Sequence, residues 1–240
     1  MASVALRLPE NVPGDFYVDS TCIDCDACRQ IAPEIFAEND EYSIVNQQPR
    51  SVEETKRALM ALVACPTGSI GTVEHHDAHI GIDAYPSLIA ENVYFCGFTA
   101  ESSFGAWSYL IVRPEKDGGN VLIDSPRFAT QLVKKIDTMG GVRIMFLTHR
   151  DDVADHDRFA KRFGCERVMH ADDGATRLGI ENIIRGDVPF AIDDELLAIA
   201  LAGKAEIILT GDKDLLRLKQ FQGIKILSPR QFVEWMDSQK

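Results

Sequence analysis

The pattern of hydrophobic and polar positions changes twice along the 240-residue chain. Residues 15–74 contain short strand-like runs and one helix-like segment at 52–63, whose apolar positions recur at the spacing of a helix. This pattern predicts a small α+β domain, which we take to span residues 1–75. A polar stretch follows, and we expect residues 76–90 to form a solvated linker.

Residues 91–192 show a second pattern, in which longer strand-like runs alternate with helix-like segments at 127–139 and 155–163. The predicted strands are Asn92–Phe98, Ser108–Arg113, Val121–Asp124 and Arg143–Thr148. Such alternation is typical of α/β layer architectures. A third pattern, over residues 193–240, predicts a βαβ tail with strands at 207–210 and 224–227.

Composition and charge narrow the classes of function. The chain has 25 Lys plus Arg against 37 Asp plus Glu, a formal net charge of −12, so nucleic acid is an unfavourable partner. No stretch approaches the roughly 18 apolar residues of a membrane span, and the first residues lack a secretion signal. We expect a cytoplasmic protein without a membrane partner. Its six cysteines should then be reduced, and those that cluster are better metal ligands than disulfide partners.

Four cysteines form the strongest chemical signal in the sequence. Cys22, Cys25 and Cys28 follow the spacing C-x-x-C-x-x-C, and Cys65 lies further along the chain, directly before a proline. One loop can thereby hold three corners of an iron–sulfur cluster while a distant cysteine closes the fourth. Four thiolates also suit tetrahedral zinc, and a structural zinc site is the alternative.

The surrounding segments resemble single-cluster bacterial-type ferredoxins. Ile31–Phe36 reads Ile-Ala-Pro-Glu-Ile-Phe and Cys65–Ile70 reads Cys-Pro-Thr-Gly-Ser-Ile, both as in that family, and the resemblance covers residues 15–74. A two-cluster member would have a further cysteine where this chain has Ala32. The resemblance therefore implies one 4Fe–4S cluster, a role in electron transfer or redox sensing, and a redox partner protein.

The remaining residues near this motif lead to two smaller expectations. Asp24 and Asp26 alternate with the cysteines, and their negative charges should lower the reduction potential of a cluster. Cys96 and Cys165 each lie alone in an apolar stretch, and we expect both to be buried thiols without a metal role.

A second polar cluster follows the strand that ends near Thr148. His149, Asp151, Asp155 and His156 lie within eight residues, where a strand end and a helix start can converge on one metal. We predict that these four residues bind one zinc or another divalent ion. The alternative is a polar loop that caps the following helix.

This region resembles the first half of the metallo-β-lactamase fold. The carrying segments are Val121–Asp124, similar to that family's Leu-Ile-Asp strand, and Asp155–His156, which matches the end of its His-x-His-x-Asp-His motif. The two earlier histidines of the motif and the later ligands are absent, so the domain is incomplete. A metal-dependent hydrolase with a structural or regulatory cluster is the alternative function.

The tail resembles the end of PIN-domain nucleases. That resemblance implies metal-binding roles for Asp194, in an Asp-x-x-Leu-Ala string, and for Asp212, in a Thr-Gly-Asp string. The first half of a PIN domain is missing, which makes a PIN-type ribonuclease remnant the third function considered. The three resemblances together suggest a gene fusion.

Overall fold

A computed structural model describes most of the first three quarters of the chain and parts of the remainder. The chain divides into two compact units, Met1–Ile184 and Arg185–Lys240. The described residues are 2–184, 205–209, 216–217, 219–221, 223–228, 231 and 235.

The first 75 residues form an α+β arrangement with one long helix. Its elements are β1 (Phe16–Val18), α1 (Ala27–Ile31), β2 (Phe36–Asn39), β3 (Tyr42–Val45), α2 (Val52–Ala64) and β4 (Ile70–Thr72). The predicted helix at 52–63 is confirmed as α2. It begins where the Ser51 hydroxyl accepts a hydrogen bond from the Glu54 amide, and Glu53 adds negative charge to the first turn.

Strand pairing brings together two distant parts of this region. β1 and β4 are antiparallel, with Val18 opposite Ile70, and β2 and β3 form a second antiparallel pair. The loop after β1 carries Cys22 and Cys25, Cys28 lies in α1, and the turn before β4 follows Cys65. Pairing of β1 with β4 therefore places the two cysteine-bearing segments side by side.

A seven-stranded sheet dominates the rest of the first unit. Its elements in chain order are α3 (His79–Ile82), β5 (Ser87–Ala90), β6 (Val93–Phe95), β7 (Tyr109–Ile111), β8 (Val121–Ile123), α4 (Thr130–Thr138), β9 (Ile144–Leu147), α5 (His156–Phe163), β10 (Glu166–His170) and β11 (Asn182–Ile184). The strands follow each other across the sheet from β11 to β5. β5 to β8 are antiparallel neighbours, whereas β8 to β11 are parallel, with α4 and α5 in two of the connections.

The strands and helices predicted between residues 92 and 163 are confirmed as β6 to β9, α4 and α5, each somewhat shorter than its hydrophobic run. Residues 76–90, expected to be a linker, contain α3 and the edge strand β5. The predicted division into domains stays a prediction. One hydrophobic core nevertheless runs through the first unit and includes Leu59 of α2 as well as Met145 of β9.

The second unit contains a small sheet among its described residues. β12 (Ile207–Leu209) is parallel to β14 (Ile224–Leu227), and β13 (Gln220–Phe221) is antiparallel to it. The two strands predicted for the tail are thereby confirmed. Asp194 and Asp212 lie outside the described residues, so the PIN-like metal site stays a prediction. None of the helices in the described part of the chain is long and apolar enough to cross a membrane.

Candidate metal centre

All four motif cysteines line one pocket in the ferredoxin-like region. Cys28 is buried, while Cys22, Cys25 and Cys65 are partly exposed. The rest of the wall is largely apolar, with three hydroxyl side chains among it, and is formed by Val18, Ile23, Ala27, Ser43, Thr67, Ser69 and Ile70. The sequence prediction that Cys65 joins the other three is consistent with this arrangement.

The loop between β1 and α1 has a backbone suited to wrapping around a ligand. The buried Asp19 carboxylate accepts hydrogen bonds from the Thr21 amide at 3.0 Å and hydroxyl at 2.5 Å, which holds the start of the loop. Asp24 and Asp26 adopt left-handed φ angles of 55° and 65°. Aspartate tolerates this conformation better than most residues. Asp24 and Asp26 therefore allow the loop to turn between the cysteines, in addition to contributing negative charge.

Hydrogen-bond donors point at the sulfur atoms. The Asp24 amide lies 3.5 Å from Cys22 Sγ, and the Ser69 amide lies 3.3 Å from Cys65 Sγ. The Ser43 hydroxyl bonds Cys28 from β3 and lowers the pKa of that thiol in part. Donors that face a sulfur stabilise its thiolate form, which is the form that ligates metal.

Burial acts in the opposite direction. It raises the pKa of the Cys28 thiol to about 12, and burial likewise raises the pKa of Cys25, with smaller contributions from the neighbouring thiols. Thiols in such a pocket are protonated at neutral pH unless a cation compensates the charge. A bound metal supplies that compensation, so the donor set fits a cysteine-ligated metal group.

Zinc and a four-iron cluster both take four cysteine ligands but arrange them differently. Among the described residues, no three His, Cys, Asp or Glu side chains form a set able to hold one metal ion. A zinc site needs its four sulfurs about 2.3 Å from a single ion. A four-iron cluster has a separate iron for each thiolate. A pocket lined by four thiols fits the cluster that the resemblance to single-cluster ferredoxins implies.

The charges of Asp24 and Asp26 are partly neutralised by a residue that the sequence did not single out. Arg29 Nη1 lies 2.6 Å from Asp24 Oδ1, and its Nε lies 2.5 Å from Asp26 Oδ1. The same guanidinium donates to Ser43 Oγ at 3.1 Å. The two carboxylates and Arg29 thus carry a net charge of about −1 beside the pocket, less than the sequence suggested. The i,i+3 spacing from Asp26 to Arg29 is the feature of the sequence from which this ion pair could have been predicted.

The second predicted cluster is not gathered into a site. His149 Nδ1 accepts a hydrogen bond from the Asp151 amide at 3.2 Å, while Asp155 Oδ2 accepts one from the Phe128 amide at 2.7 Å. His156 is buried, and its Nδ1 accepts from Arg167 Nη1 at 3.3 Å. Asp155 and His156 thus have partners outside the predicted set, whereas His149 and Asp151 contact each other. Metal binding by these four residues stays a prediction.

Asp124 is a distinctive carboxylate that the sequence had marked only as the end of a strand. It follows β8 and accepts hydrogen bonds from the Thr148 amide and hydroxyl, both at 2.8 Å. Burial raises its pKa to about 7, with a further contribution from Asp152, although Thr148 and His149 act in the opposite direction. Its burial, at 8% exposed, depends on strand packing that a single sequence does not reveal.

Comparison with known proteins gives a family for the cysteine-bearing segment. Residues 18–72, which include all four motif cysteines, match the family model described as the 4Fe-4S single cluster domain of Ferredoxin I. The match implies a 4Fe–4S cluster. It covers less than a quarter of the chain, so it describes the first region and not the whole protein.

The rest of the chain has weaker comparisons. No curated protein matches the chain. Among solved structures, the chain is similar to the native FEZ-1 metallo-beta-lactamase from Legionella gormanii, at 25% identity over 35% of this chain and 32% of that one, with a TM-score of 0.27. The chain thus matches about a third of that protein's length. This likeness is too distant to support an argument about activity.

Proposed function

We propose that the chain binds one 4Fe–4S cluster through Cys22, Cys25, Cys28 and Cys65 and uses it for one-electron transfer or redox sensing. The observation that carries the proposal is the single pocket lined by all four thiols, within the segment that matches a single-cluster ferredoxin family. A bound cluster supplies reversible one-electron chemistry. The amides of Asp24 and Ser69 stabilise the ligating thiolates, and Ser43 does the same for Cys28.

The exposure of the ligands supports exchange of electrons with a second protein. Cys28 is buried deep in the pocket, whereas Cys22, Cys25 and Cys65 are only partly buried. The pocket therefore lies close to the surface, where an electron can pass to a docked redox partner. Asp24 and Asp26, with side chains 31% and 42% exposed, present negative charge beside it. A partner with a basic rim would complement this surface.

Metal analysis of anaerobically purified protein tests the proposal. We expect about four irons and about four sulfides per chain, with a visible absorbance band near about 400 nm that dithionite bleaches. Cys28→Ala and Cys65→Ala should lose the cluster. The matched controls are Cys96→Ala and Cys165→Ala, because both thiols are buried and lie outside the pocket. Stoichiometric zinc without iron, or a cluster retained in Cys65→Ala, would contradict the proposal.

Repeated redox cycling separates the two roles. An electron-transfer protein should keep its iron through several rounds of reduction and reoxidation by a one-electron carrier. A sensor should instead lose or convert the cluster on oxidation. The hydrolase and PIN-type ribonuclease alternatives stay predictions. Among the described residues no three His, Cys, Asp or Glu side chains form a metal-binding set, and Asp194 and Asp212 of the PIN-like tail lie outside those residues.

A further inference from the structure

Residues 97–107, within the connection between β6 and β7, lie against Cys25, one of the cysteines that line the pocket; we name them the cover loop. Gly105 of this loop has φ +78°. A Cβ atom at Gly105 would lie 2.7 Å from Cys25 Cβ and 2.8 Å from Cys25 Sγ, closer than real Cβ atoms approach. The same atom would be 3.5 Å from Pro66 Cγ, beside the fourth cysteine. The backbone at Gly105 is therefore in direct contact with a proposed cluster ligand.

A second contact ties the cover loop to the helix that precedes Cys65. The buried Thr99 donates to the Ala64 carbonyl twice, from its amide at 3.2 Å and from its hydroxyl at 2.6 Å. Ala64 is the last residue of α2. The final carbonyls of a helix have no partner within the helix, so Thr99 satisfies a group that α2 itself cannot.

Arg127, which follows β8, reinforces this junction. Its Nη2 donates to the Val63 carbonyl at 3.2 Å, and its amide donates to the Phe98 carbonyl at 2.8 Å. The guanidinium also lies 6.0 Å from the centre of the Phe98 ring. One arginine thus joins the end of α2 to the start of the cover loop.

The cover loop is ordered by its own hydrogen bonds. The Gly105 amide donates to the Ala100 carbonyl at 3.0 Å, and the Ala106 amide donates to the Ser103 carbonyl at 2.8 Å. The buried Ser103 hydroxyl accepts from the Ala154 amide at 3.2 Å. The loop therefore holds a defined shape between the pocket and the segment before α5.

We infer that the cover loop is part of the cluster site: Gly105 shields the Cys25 corner of the pocket, and Thr99 positions the end of α2 and hence Cys65. This inference rests on the proposed function. Solvent exposure and hydrogen bonding near the ligands control both the potential and the survival of iron–sulfur clusters. The sheet region thereby protects the cluster, which the ferredoxin-like segment does not enclose by itself.

Gly105→Ala tests the shielding role, with Gly164→Ala as its matched control. Both glycines have left-handed φ angles, +78° and +64°, so both substitutions cost similar backbone strain. Nothing lies within 4 Å of a Cβ at Gly164, whereas the Cβ at Gly105 meets Cys25. We expect Gly105→Ala to lower the iron and sulfide content and to speed loss of the visible band in air about tenfold. Gly164→Ala should behave as the wild type.

Thr99→Val tests the positioning role independently and decides the matter if Gly105→Ala does not fold. It keeps the shape of the side chain and removes the hydroxyl that donates to Ala64. We expect Thr99→Val to lose the visible band in air about fivefold faster, the factor that corresponds to one buried hydrogen bond. Thr99→Ser keeps a hydroxyl and should lose the band at the rate of the wild type. A wild type without iron would contradict the proposed function and this inference together. A wild-type cluster that is equally long-lived in Gly105→Ala or Thr99→Val would contradict only the inference.

Discussion

The cysteine pocket and the 149–156 segment are both short stretches dense in metal-ligating residue types, yet the fold treats them in opposite ways. The pocket places four thiols around one space, because pairing of β1 with β4 brings the Cys65 turn beside the loop of the other three. In the segment, Asp155 bonds the Phe128 amide and His156 accepts from Arg167. Ligand density along the chain therefore does not make a site. A second segment that brings a distant ligand to the same space is also needed.

The two regions also differ in how they accommodate charge. In the pocket, amide and hydroxyl donors face the sulfur atoms, but burial raises the pKa values of Cys25 and Cys28, so a bound cation is needed to hold these thiolates. Near the segment, the carboxylates of Asp124 and Asp152 both have raised pKa values, with burial as the main cause.

The largest effect concerns Asp124. Its pKa is about 7 in the folded protein against 3.8 for an unperturbed aspartate, so the folded state binds more protons between these values. Stability should therefore fall as pH rises from about 4 to about 8, by at most about 4 kcal/mol. Asp124→Asn removes the titrating group but keeps an oxygen for Thr148. Urea unfolding across this range should show a flatter pH profile for Asp124→Asn, and an unchanged slope would contradict the assignment.

Arg167 provides the next largest effect. Its side chain is only 10% exposed and pairs with Asp157 and Glu181 while donating to His156. Because both carboxylates are mostly exposed, we expect Arg167→Met to lower the free energy of unfolding by about 1–2 kcal/mol. Arg162→Met is the matched control, since Arg162 pairs with Asp137 on the surface and should cost at most about 0.5 kcal/mol.

The same Arg167→Met variant tests whether the Arg167 contact prevents His156 from binding a metal. If the hydrogen bond from Arg167 keeps His156 from binding a metal, Arg167→Met should give residues 149–156 a measurable affinity for zinc. Equilibrium dialysis of the variant, made in the Cys65→Ala background, would measure that affinity. Equal zinc binding with and without Arg167 would show that other contacts keep the four predicted ligands of the segment apart.

Ser51 has a smaller effect at the start of α2, the helix that leads to Cys65. Its hydroxyl accepts from the Glu54 amide at 3.1 Å. We expect Ser51→Ala to lower the free energy of unfolding by about 1 kcal/mol in thermal or urea denaturation. Ser51→Asp retains an oxygen acceptor and should keep most of the stability. If both variants lose the same amount, the cap is not the reason.

The smallest effect is on the reduction potential. Asp24→Asn should raise the cluster potential and Arg29→Gln should lower it, because Arg29 neutralises part of the charge of Asp24 and Asp26. For partly exposed charges we expect shifts of about 20–40 mV, the equivalent of about 0.5–1 kcal/mol for one electron. Asp137→Asn, on α4, should leave the potential unchanged. Shifts of the same sign in the first two variants would overturn the charge argument.

Local patterns predicted several features correctly. The helix at 52–63 was predictable because helical spacing, the Ser51 cap and the acidic first turn all lie within a few residues of one another. Cys96 and Cys165 are buried, as their apolar neighbours indicated. The linker prediction for 76–90 rested on the polar run that begins near residue 75 and on Pro86. These signals gave no indication of α3 or of β5, an edge strand whose Leu88 and Ile89 are exposed.

The type and spacing of the ligands can be read from the sequence alone, since C-x-x-C-x-x-C lies within seven residues and Cys-Pro within two. Tertiary structure decided everything that depends on contacts between distant segments. The fold brings the Ser43 hydroxyl to Cys28 and the Gly105 backbone against Cys25. It also lets Thr99 donate a hydrogen bond to the end of α2 and Arg167 donate one to His156. A hydrogen bond or a close approach between residues far apart in the chain leaves no periodic trace, so only the folded arrangement could reveal these partners.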